Sequence, residues 1–398
     1  MRLTRAVTAT ALCGLLVAAG MPAAGSASQP DASPTGSVVV EAAEPADVVA
    51  EPAARVAAMS TRDKAASVVM GHIPTTDAAA ARAYMESTGI GGFILMGANI
   101  PGSEGELRAF TGALTVDGGL PPLIAIDQEG GDVSRLPWDG FPSARALKDQ
   151  PASVTQDAFA GRGALVSRAG IGVNFGVVAD ITADRSMFIY GRALGTSPQS
   201  GADHVAAAVA GEESSALSTL KHFPGHGAAP GDSHNGIPST GMSKADWQAS
   251  DGLPFAAGIE AGAPLLMYGH LRFTAVDSAP ASMSAEWHRI AREELGFDGV
   301  SITDDLGMLQ ASGEPAYADP VANAVAALAA GNDMVLAVMF SQADSAARIA
   351  DGIVAAVDSG ALPATRLDDA AARVMRLRLE LASEGRGLVP CGDCAPVE

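Results

Sequence analysis

Short apolar runs alternate with longer amphipathic stretches along most of this chain. Each run spans five to seven residues bounded by Gly, Pro or Asp, which is typical of a buried β-strand. The stretches between the runs repeat apolar residues at helical spacing, which predicts α-helices. The predicted strands span residues 67–73, 92–96, 122–126, 172–178, 218–222, 264–268, 299–303 and 333–338. The predicted helices span residues 76–87, 104–114, 154–169, 202–213, 244–261, 285–295, 320–330, 342–358 and 364–383.

This alternation predicts an α/β fold. Strands that are apolar throughout are buried on both faces, and a helix after each one indicates a parallel sheet. Eight such units in about 330 residues predict a single closed (β/α)8 barrel, complete or imperfect. An open doubly wound sheet is the alternative, but no G-x-G-x-x-G turn follows any predicted strand, which disfavours its dinucleotide-binding form.

The N-terminus has the pattern of an export signal. Arg2 and Arg5 precede an apolar stretch over residues 6–19, and small residues follow at 25–27, so residues 1–27 are predicted to be a cleaved signal peptide. The mature protein is then secreted, with no stable membrane insertion. A lipid anchor at the cell surface through Cys13 is the alternative, disfavoured because Cys13 lies inside the apolar stretch.

The remaining boundaries follow from composition. Residues 28–57 are rich in Ala, Pro, Glu and Val and are predicted to be a flexible linker, followed by the barrel domain over 58–386. Residues 387–398 form a tail containing Cys391-Gly-Asp-Cys394. We interpret this pair as a small structural disulfide, because it does not open a helix as a redox motif would, and no nearby His completes a zinc site.

Composition narrows the classes of partner. The chain carries 25 Lys and Arg against 45 Asp and Glu, a net charge of −20, which disfavours binding to nucleic acid or to anionic membrane surfaces. A hydrophobic content of 48% supports a large core. We expect a monomer.

Reactive side chains follow the predicted strands. Asp127 comes after the third strand, Lys221 and His222 end the fifth, His270 follows the sixth, and Asp304 follows the seventh. In a barrel of this type the C-terminal ends of the strands form the functional face. These side chains are therefore predicted to meet on one rim.

The segment 221–234 is the most informative. It reads Lys-His-Phe-Pro-Gly-His-Gly-Ala-Ala-Pro-Gly-Asp-Ser-His and holds three of the seven His residues. Its Pro and Gly residues exclude a helix. A carboxylate beside an imidazole orients the ring and raises its basicity, so Asp232 and His234 are a candidate general acid/base pair. A structural role in capping turns is the alternative.

Two further segments bring carboxylates to the rim. In the Asp304-Asp305 pair we assign Asp304 to chemistry and Asp305 to support as a helix N-cap. Residues 126–131 read Ile-Asp-Gln-Glu-Gly-Gly, a strand end followed by a tight turn. Its acidic and amide side chains are suited to binding vicinal hydroxyl groups through paired hydrogen bonds. The alternative is that the segment is only a capped tight turn. The candidate cationic donors are Arg135, Arg185, Arg192 and Lys221.

These motifs together resemble glycoside hydrolase family 3. The resemblance rests on KHFPGHG at 221–227, the Asp-Ser-His triplet at 232–234, IDQEGG at 126–131 and TDDL at 303–306, within residues 60–340. The loop with its Asp-Ser-His triplet is similar to that of the β-N-acetylglucosaminidase branch, a single-barrel type. The resemblance implies a retaining enzyme that removes terminal β-linked N-acetylglucosamine from cell-wall muropeptides or chitin oligosaccharides through a covalent glycosyl-enzyme, without a metal or other cofactor.

The resemblance also implies a role for each matching residue. Asp304 would be the nucleophile, and His234, oriented by Asp232, the acid/base. Sugar-binding positions would be Asp127, Arg135, Lys221, His222 and Arg192, with Arg185 as the alternative to Arg192, while His226, Asp305 and His270 would support the site. The chain departs from relatives at Asp132, over 228–231 and over 180–191, which bears on specificity more than on reaction type.

Other functions remain open at this point. Within the family, the alternatives are a β-glucosidase or an N-acetylglucosaminide phosphorylase, because a neutral imidazole base does not repel a phosphate acceptor. A metal-dependent barrel hydrolase would use His222, His226, His234 and Asp304 as ligands, but it leaves Lys221 without a role. A secreted sugar-binding protein without turnover is the non-enzymatic alternative.

Overall fold

A computed structural model describes residues 45–384 of the chain, with the side chains of residues 51–383. Eight parallel strands form a closed barrel in chain order, and the last strand pairs with the first through Val69–Val335 and Met70–Leu336. The predicted (β/α)8 barrel is confirmed, and each predicted strand is present. The strands are β1 (Val69–Gly71), β2 (Gly92–Leu95), β3 (Leu123–Ile126), β4 (Val173–Val178), β5 (Leu217–Phe223), β6 (Leu265–Tyr268), β7 (Val300–Asp305) and β8 (Met334–Leu336).

Helices surround the barrel, and local sequence marks where several of them begin. Asp77, Ser103 and Asp319 each accept a backbone N–H from the first turn of the helix that follows, which satisfies donors that a helix start leaves without partners. The helices span Pro45–Ala57, Thr61–Ser67, Ala78–Thr88, Glu104–Leu114, Ala144–Leu147, Ala152–Arg168, Pro198–Glu212, Lys244–Ala249, Gly252–Glu260, Ala285–Arg289, Leu306–Ala311, Pro320–Ala330, Ser345–Asp358 and Ala364–Glu384.

The predicted linker is wrong in its last part. Residues 45–57 form a helix that contacts the helix Ala364–Glu384, and Val56 in it is only 3% exposed. The folded domain therefore begins before residue 58. The predicted signal peptide over 1–27, the linker up to residue 44, and the tail with Cys391 and Cys394 lie outside the described residues.

Two predicted helices differ in detail, and a small sheet was not predicted. The stretch 244–261 is divided at Ser250 and Asp251 into two helices, and Ala285–Arg289 continues as a π-helical turn over Ile290–Glu294. Residues Ser239–Thr240 pair in parallel with Arg272–Phe273. None of the described helices combines the length and the apolar character that crossing a bilayer requires.

An aromatic cluster packs beneath the loop that follows β5. The Phe223 ring lies 5.8 Å from Trp247, 5.3 Å from Phe255 and 5.7 Å from Trp287, each in an edge-to-face arrangement. The Trp247 indole Nε1 donates to the Pro224 carbonyl at 2.7 Å. The start of the 221–234 loop is thus fixed by buried rings and a buried hydrogen bond.

A buried carboxylate ties the last helix to the barrel. Asp333, immediately before β8, is fully buried and accepts hydrogen bonds from Arg292 at 2.5 Å, from Arg366 at 2.8 Å and from Arg373 at 3.2 Å. The Ser301 backbone N–H donates to it as well, at 3.0 Å. Burial disfavours the ionised form, but the three guanidinium groups outweigh this effect and lower the pKa of Asp333 below 3.8.

We expect Asp333→Asn to lower the free energy of unfolding by about 3–5 kcal/mol, because it leaves three partly buried guanidinium groups without their anion. Since the pKa of Asp333 is lowered by folding, its contribution is present at neutral pH and is lost only as the pH falls through that lowered value. Urea unfolding at pH 7 measures the change. The control is Asp351→Asn at the exposed Arg62–Asp351 pair, expected to cost less than about 1 kcal/mol; equal effects would contradict this account.

Candidate active site

A cavity of about 200 Å³ opens at the C-terminal ends of the barrel strands. Its polar lining comes from strand ends and from the loops after them, as a barrel of this type predicts. The polar side chains that line it are Asp127, Arg135, Arg192, Lys221, His222, His226, Ser233, His234, Asp304 and Asp305.

The floor of the cavity is built around the Lys221 ammonium. Lys221 lies in the C-terminal half of β5 and is 2% exposed, and its Nζ lies 2.8 Å from Asp127 Oδ1 and 2.7 Å from Glu129 Oε1. Burial disfavours the charged form of Asp127, but Lys221 and Arg135 outweigh it and lower the pKa of Asp127 to about 2. Although burial opposes it, the same ion pairs lower the pKa of Glu129 and raise the pKa of Lys221. All three groups therefore remain charged near neutral pH, and the ammonium stabilises both carboxylates.

Arg192 extends this network toward His222. Its guanidinium binds both carboxylate oxygens of Glu129, at 2.9 and 2.7 Å, and its Nη2 lies 3.2 Å from His222 Nε2. Arg185 is exposed, does not line the cavity, and stands 5.7 Å from the Tyr190 ring. Between the two alternatives in the sequence, the structure brings Arg192 to the cavity.

The turn after β3 is held by Gln128. Its carboxamide oxygen accepts the backbone N–H groups of Arg135 and Leu136, each at 2.9 Å. This places the Arg135 guanidinium 3.4 Å from Asp127 Oδ2. At Gly130, where φ is +83°, a Cβ would lie 2.2 Å from Arg162 Nη2, so only glycine fits this turn.

Asp180 organises two histidines from beneath. Its carboxylate lies 2.6 Å from His222 Nδ1 and accepts the His226 backbone N–H at 2.5 Å. Burial lowers the pKa of His222 well below its usual value, and Arg192 and Lys221 add to the effect. Neutral His222 therefore donates from Nδ1 to Asp180 and accepts from Arg192 at Nε2.

The predicted acid/base pair is present at the cavity rim. His234 Nδ1 lies 2.7 Å from Asp232 Oδ1, which also accepts the His234 backbone N–H at 3.0 Å. The His234 side chain is 53% exposed and lines the cavity. The Asp232 carboxylate thus orients the imidazole, and the second ring nitrogen is left for a substrate.

The adjacent aspartates differ in environment. Asp305 accepts the N–H groups of Gly307, Val338 and Met339 at 2.8 to 3.0 Å, so that it begins the next helix and holds the chain after β8. Asp304 lines the cavity and accepts the Asp305 N–H at 2.8 Å. The prediction that Asp305 caps a helix is confirmed.

Two electrostatic effects on Asp304 oppose each other. Burial disfavours ionisation, but the hydrogen bond from the Asp305 N–H and the nearby Lys221 ammonium favour the carboxylate, and the pKa of Asp304 is lowered. An ionised carboxylate on the rim, with no ion pair to any described cation within 4 Å, is suited to attack an electrophilic carbon.

The predicted site residues therefore lie together, and all of them line the cavity except Asp232 and His270. Asp232 reaches the cavity only through His234, and buried His270 bonds Ser282 and the Asp305 carbonyl at 2.7 and 2.9 Å. Asp132, one of the positions at which this chain differs from the family pattern, forms an exposed ion pair with Arg145 at 3.3 Å.

A match to the model of the glycosyl hydrolase family 3 N-terminal domain covers residues 60–377. This range contains the whole barrel and every cavity residue. The chain belongs to glycoside hydrolase family 3.

Relatives of this glycoside hydrolase agree with the assignment. It is 32% identical over 371 residues to beta-hexosaminidase LpqI of Mycobacterium tuberculosis, covering 87% of this chain and 92% of that protein. It is 36% identical over 269 residues to a beta-hexosaminidase of Chromobacterium violaceum, covering 65% of this chain and 74% of that protein. A solved β-N-acetylglucosaminidase of this family from Paenibacillus sp. matches with a TM-score of 0.77 at 28% identity, over 86% of this chain and 66% of that one.

Two residues of this family 3 site were not assigned a role from sequence. Glu129 lies within the IDQEGG motif, but only the structure shows that it bridges Lys221 and Arg192. Asp180 stands two residues after β4, so the rule that found the other rim residues, a polar side chain after a strand end, would have found it too.

Two of the four ligands proposed for the metal-hydrolase alternative, His222 and His226, have other partners in the structure. Among residues 45–384 no three His, Cys, Asp or Glu side chains are placed to hold one metal ion. His222 Nε2 faces Arg192, and His226 Nε2 lies 3.0 Å from Ser233 Oγ.

We expect Asp180→Asn to reduce kcat/KM for glycoside hydrolysis by about 10²-fold. The amide NH₂ group would face N–H donors that now donate to the carboxylate, and His222 would lose the hydrogen bond that fixes its tautomer. Steady-state kinetics with a nitrophenyl glycoside, together with a thermal melt, measure the effect. The control is Asp184→Asn, an exposed residue of the same loop whose carboxylate bonds only Ser186 in its own turn. Matching activities in the two variants would contradict the positioning role of Asp180.

Proposed function

We propose that this chain is a retaining β-N-acetylhexosaminidase that removes terminal β-linked N-acetylglucosamine from saccharides. One observation carries the proposal: the ionised Asp304 and the Asp232-oriented His234 line the same cavity. Beta-hexosaminidases among the relatives support the choice of sugar.

The first step uses the anionic carboxylate and the imidazole together. Asp304 attacks the anomeric carbon and forms a covalent glycosyl-enzyme, while His234 donates a proton to the departing glycosidic oxygen. The lowered pKa of Asp304 keeps its carboxylate ionised for this attack. Two displacements at one carbon retain the configuration of the sugar.

The second step reverses the role of the imidazole. His234, now neutral, removes a proton from the incoming water, which attacks the anomeric carbon and releases Asp304. Asp232 stabilises the positive charge that His234 acquires in each turnover, as its position 2.7 Å from Nδ1 allows.

The charged floor of the cavity is suited to binding the sugar hydroxyl groups. Asp127 and Arg135 reach the cavity from β3, Lys221 and His222 from β5, and Arg192 from the loop after β4. These groups already hold one another in place, so they bind the sugar without reorganising. Such preorganisation lowers the free energy of the transition state relative to that of the bound substrate.

We expect the wild-type protein to hydrolyse nitrophenyl N-acetyl-β-glucosaminide faster than nitrophenyl β-glucoside, with or without phosphate and after dialysis against EDTA. Asp304→Asn should lower kcat by at least about 10³-fold, because the amide is a poor nucleophile. The control is Asp298→Asn, the same change at an exposed residue just before β7. Failure to release nitrophenol from the first substrate would overturn the choice of sugar; a sugar phosphate as product would replace the hydrolase with a phosphorylase.

We expect His234→Gln to affect poor leaving groups far more than good ones. Hydrolysis of a disaccharide needs a proton on the leaving oxygen and should fall by about 10²–10⁴-fold, whereas formation of the glycosyl-enzyme from a dinitrophenyl glycoside should change little. Asp232→Asn should shift the rates in the same direction by less, and the control Asp298→Asn, at an exposed residue that does not line the cavity, should leave the ratio unchanged. Uniform losses on all substrates would show that His234 is not the acid.

A further inference from the structure

A buried amide and a buried acid lie behind the turn that follows β3. Asn174 is in β4, in register with Ile126 of β3, and Glu212 is the last residue of the helix Pro198–Glu212. Both residues are 0% exposed, and neither lines the cavity. The two-step reaction described above uses neither side chain.

The Asn174 side chain holds the backbone of Gln128 at both of its polar groups. Its Oδ1 accepts the Gln128 N–H at 3.1 Å, and its Nδ2 donates to the Gln128 carbonyl at 3.1 Å. A Cβ at Gly176 would lie 2.3 Å from Asn174 Nδ2, so the amide is packed tightly in place. Because Asp127 and Glu129 flank Gln128, this contact fixes the direction in which both carboxylates leave the chain.

Glu212 determines which way the Asn174 amide faces. An amide has one acceptor oxygen and two N–H donors, and the second donor of Asn174 bonds Glu212 Oε1 at 2.5 Å. With this acceptor present, Nδ2 stays on the side of the Gln128 carbonyl and Oδ1 on the side of the Gln128 N–H. Loss of the acceptor would leave a buried N–H without a partner and would allow the amide to rotate.

The surroundings of Glu212 favour its neutral form. Among the residues whose side chains are described, no cationic group forms an ion pair with it, and its Oε2 has no hydrogen-bond partner. The buried carboxylates of Glu129 and Asp333, by contrast, each contact at least two cations. Burial raises the pKa of Glu212 to about 8, although the Asn174 hydrogen bond and the charge of Arg162 oppose the shift.

Arg162 is the one charged group among the described residues that acts on Glu212 from a neighbouring element. It lies on the helix Ala152–Arg168, and its guanidinium is already paired with Asp139 at 2.8 Å. The helix Gly252–Glu260 and the strands β4 and β5 also contact the helix that ends at Glu212, but no charge on them shifts its pKa. The compensation that an ionised Glu212 would need is therefore lacking.

We propose that Asn174 and Glu212 are positioning residues for the sugar-binding turn after β3, and that Glu212 acts as a neutral carboxylic acid with its proton on Oε2. Oε1 then remains a carbonyl acceptor for Asn174. Loss of the proton at alkaline pH buries an uncompensated anion, which draws Glu212 away and releases Asn174. The effect on catalysis rests on the proposed function, because it is measured as glycoside hydrolysis.

Thermal melts of the wild type and of Glu212→Gln between pH 5 and pH 8 test the neutral acid without any substrate. Gln keeps an acceptor at Oε1 and cannot ionise. Because folding raises the pKa of Glu212, the folded wild type keeps a proton that the unfolded chain releases above about pH 4.5, so its stability falls as the pH rises toward 8. The Tm of Glu212→Gln should therefore increase relative to that of the wild type over this range, by at least about 2 °C.

Kinetics with nitrophenyl N-acetyl-β-glucosaminide test the positioning role. Asn174→Ala and Glu212→Leu should each lower kcat/KM by about 10-fold, because both release the Gln128 peptide. Glu212→Gln, the conservative variant, should restore kcat/KM to within about 2-fold of the wild type at pH 6.5. From pH 7 to pH 9 the wild type should lose about 3-fold in kcat/KM relative to Glu212→Gln.

The control is Glu213→Gln, the same change at the next residue, which is exposed and should alter neither the melts nor the kinetics. A Tm difference that is constant from pH 5 to pH 8, or largest at pH 5, would show that Glu212 is ionised. Wild-type kcat/KM in both Asn174→Ala and Glu212→Leu would overturn the positioning role. If neither variant folds, a constant ratio between wild type and Glu212→Gln from pH 7 to pH 9 would overturn it instead. Absence of turnover by the wild type would overturn the proposed function, while the melts would still test the neutral acid.

Discussion

One buried ammonium group holds the active site together. Lys221 comes from β5, its two carboxylate partners come from the end of β3 and the turn after it, and Arg192 joins them from the loop after β4. A buried charge without a partner is strongly destabilising, so these segments are constrained to lie side by side. The constraint gives the cavity a charged floor that exists before any sugar arrives.

The two groups assigned to the reaction are held in different ways. Asp304 stands at the end of a barrel strand, next to a carboxylate that fixes three backbone N–H groups. His234 lies on a loop and is half exposed, and one short hydrogen bond to Asp232 orients it. A rigid nucleophile needs a fixed distance to one carbon, whereas an acid/base group must serve both a leaving saccharide and an incoming water.

The sequence predicts the barrel well because its strands are apolar on both faces and are separated by regular helices. It predicts most of the site because reactive residues in this fold follow strand ends. It does not reveal the bridging role of Glu129, since this depends on which side chains the closed barrel brings together. Asp180 could have been selected because it follows a strand end, but its contacts with His222 and His226 are known only from the structure. The helix Pro45–Ala57 was not predicted because its Ala, Val and Pro residues resemble those of a linker, whereas the helix is stabilised by contact with the last helix.

The most direct test of the account is the site at which a sugar becomes covalently attached. A slow fluorinated N-acetylglucosaminyl donor allows the intermediate to accumulate, and peptide mass spectrometry then locates the added mass. We expect one glycosyl group on the peptide that contains Asp304, at that side chain. Attachment to any other residue, or steady turnover of the donor with no covalent species at any time, would contradict the central claim.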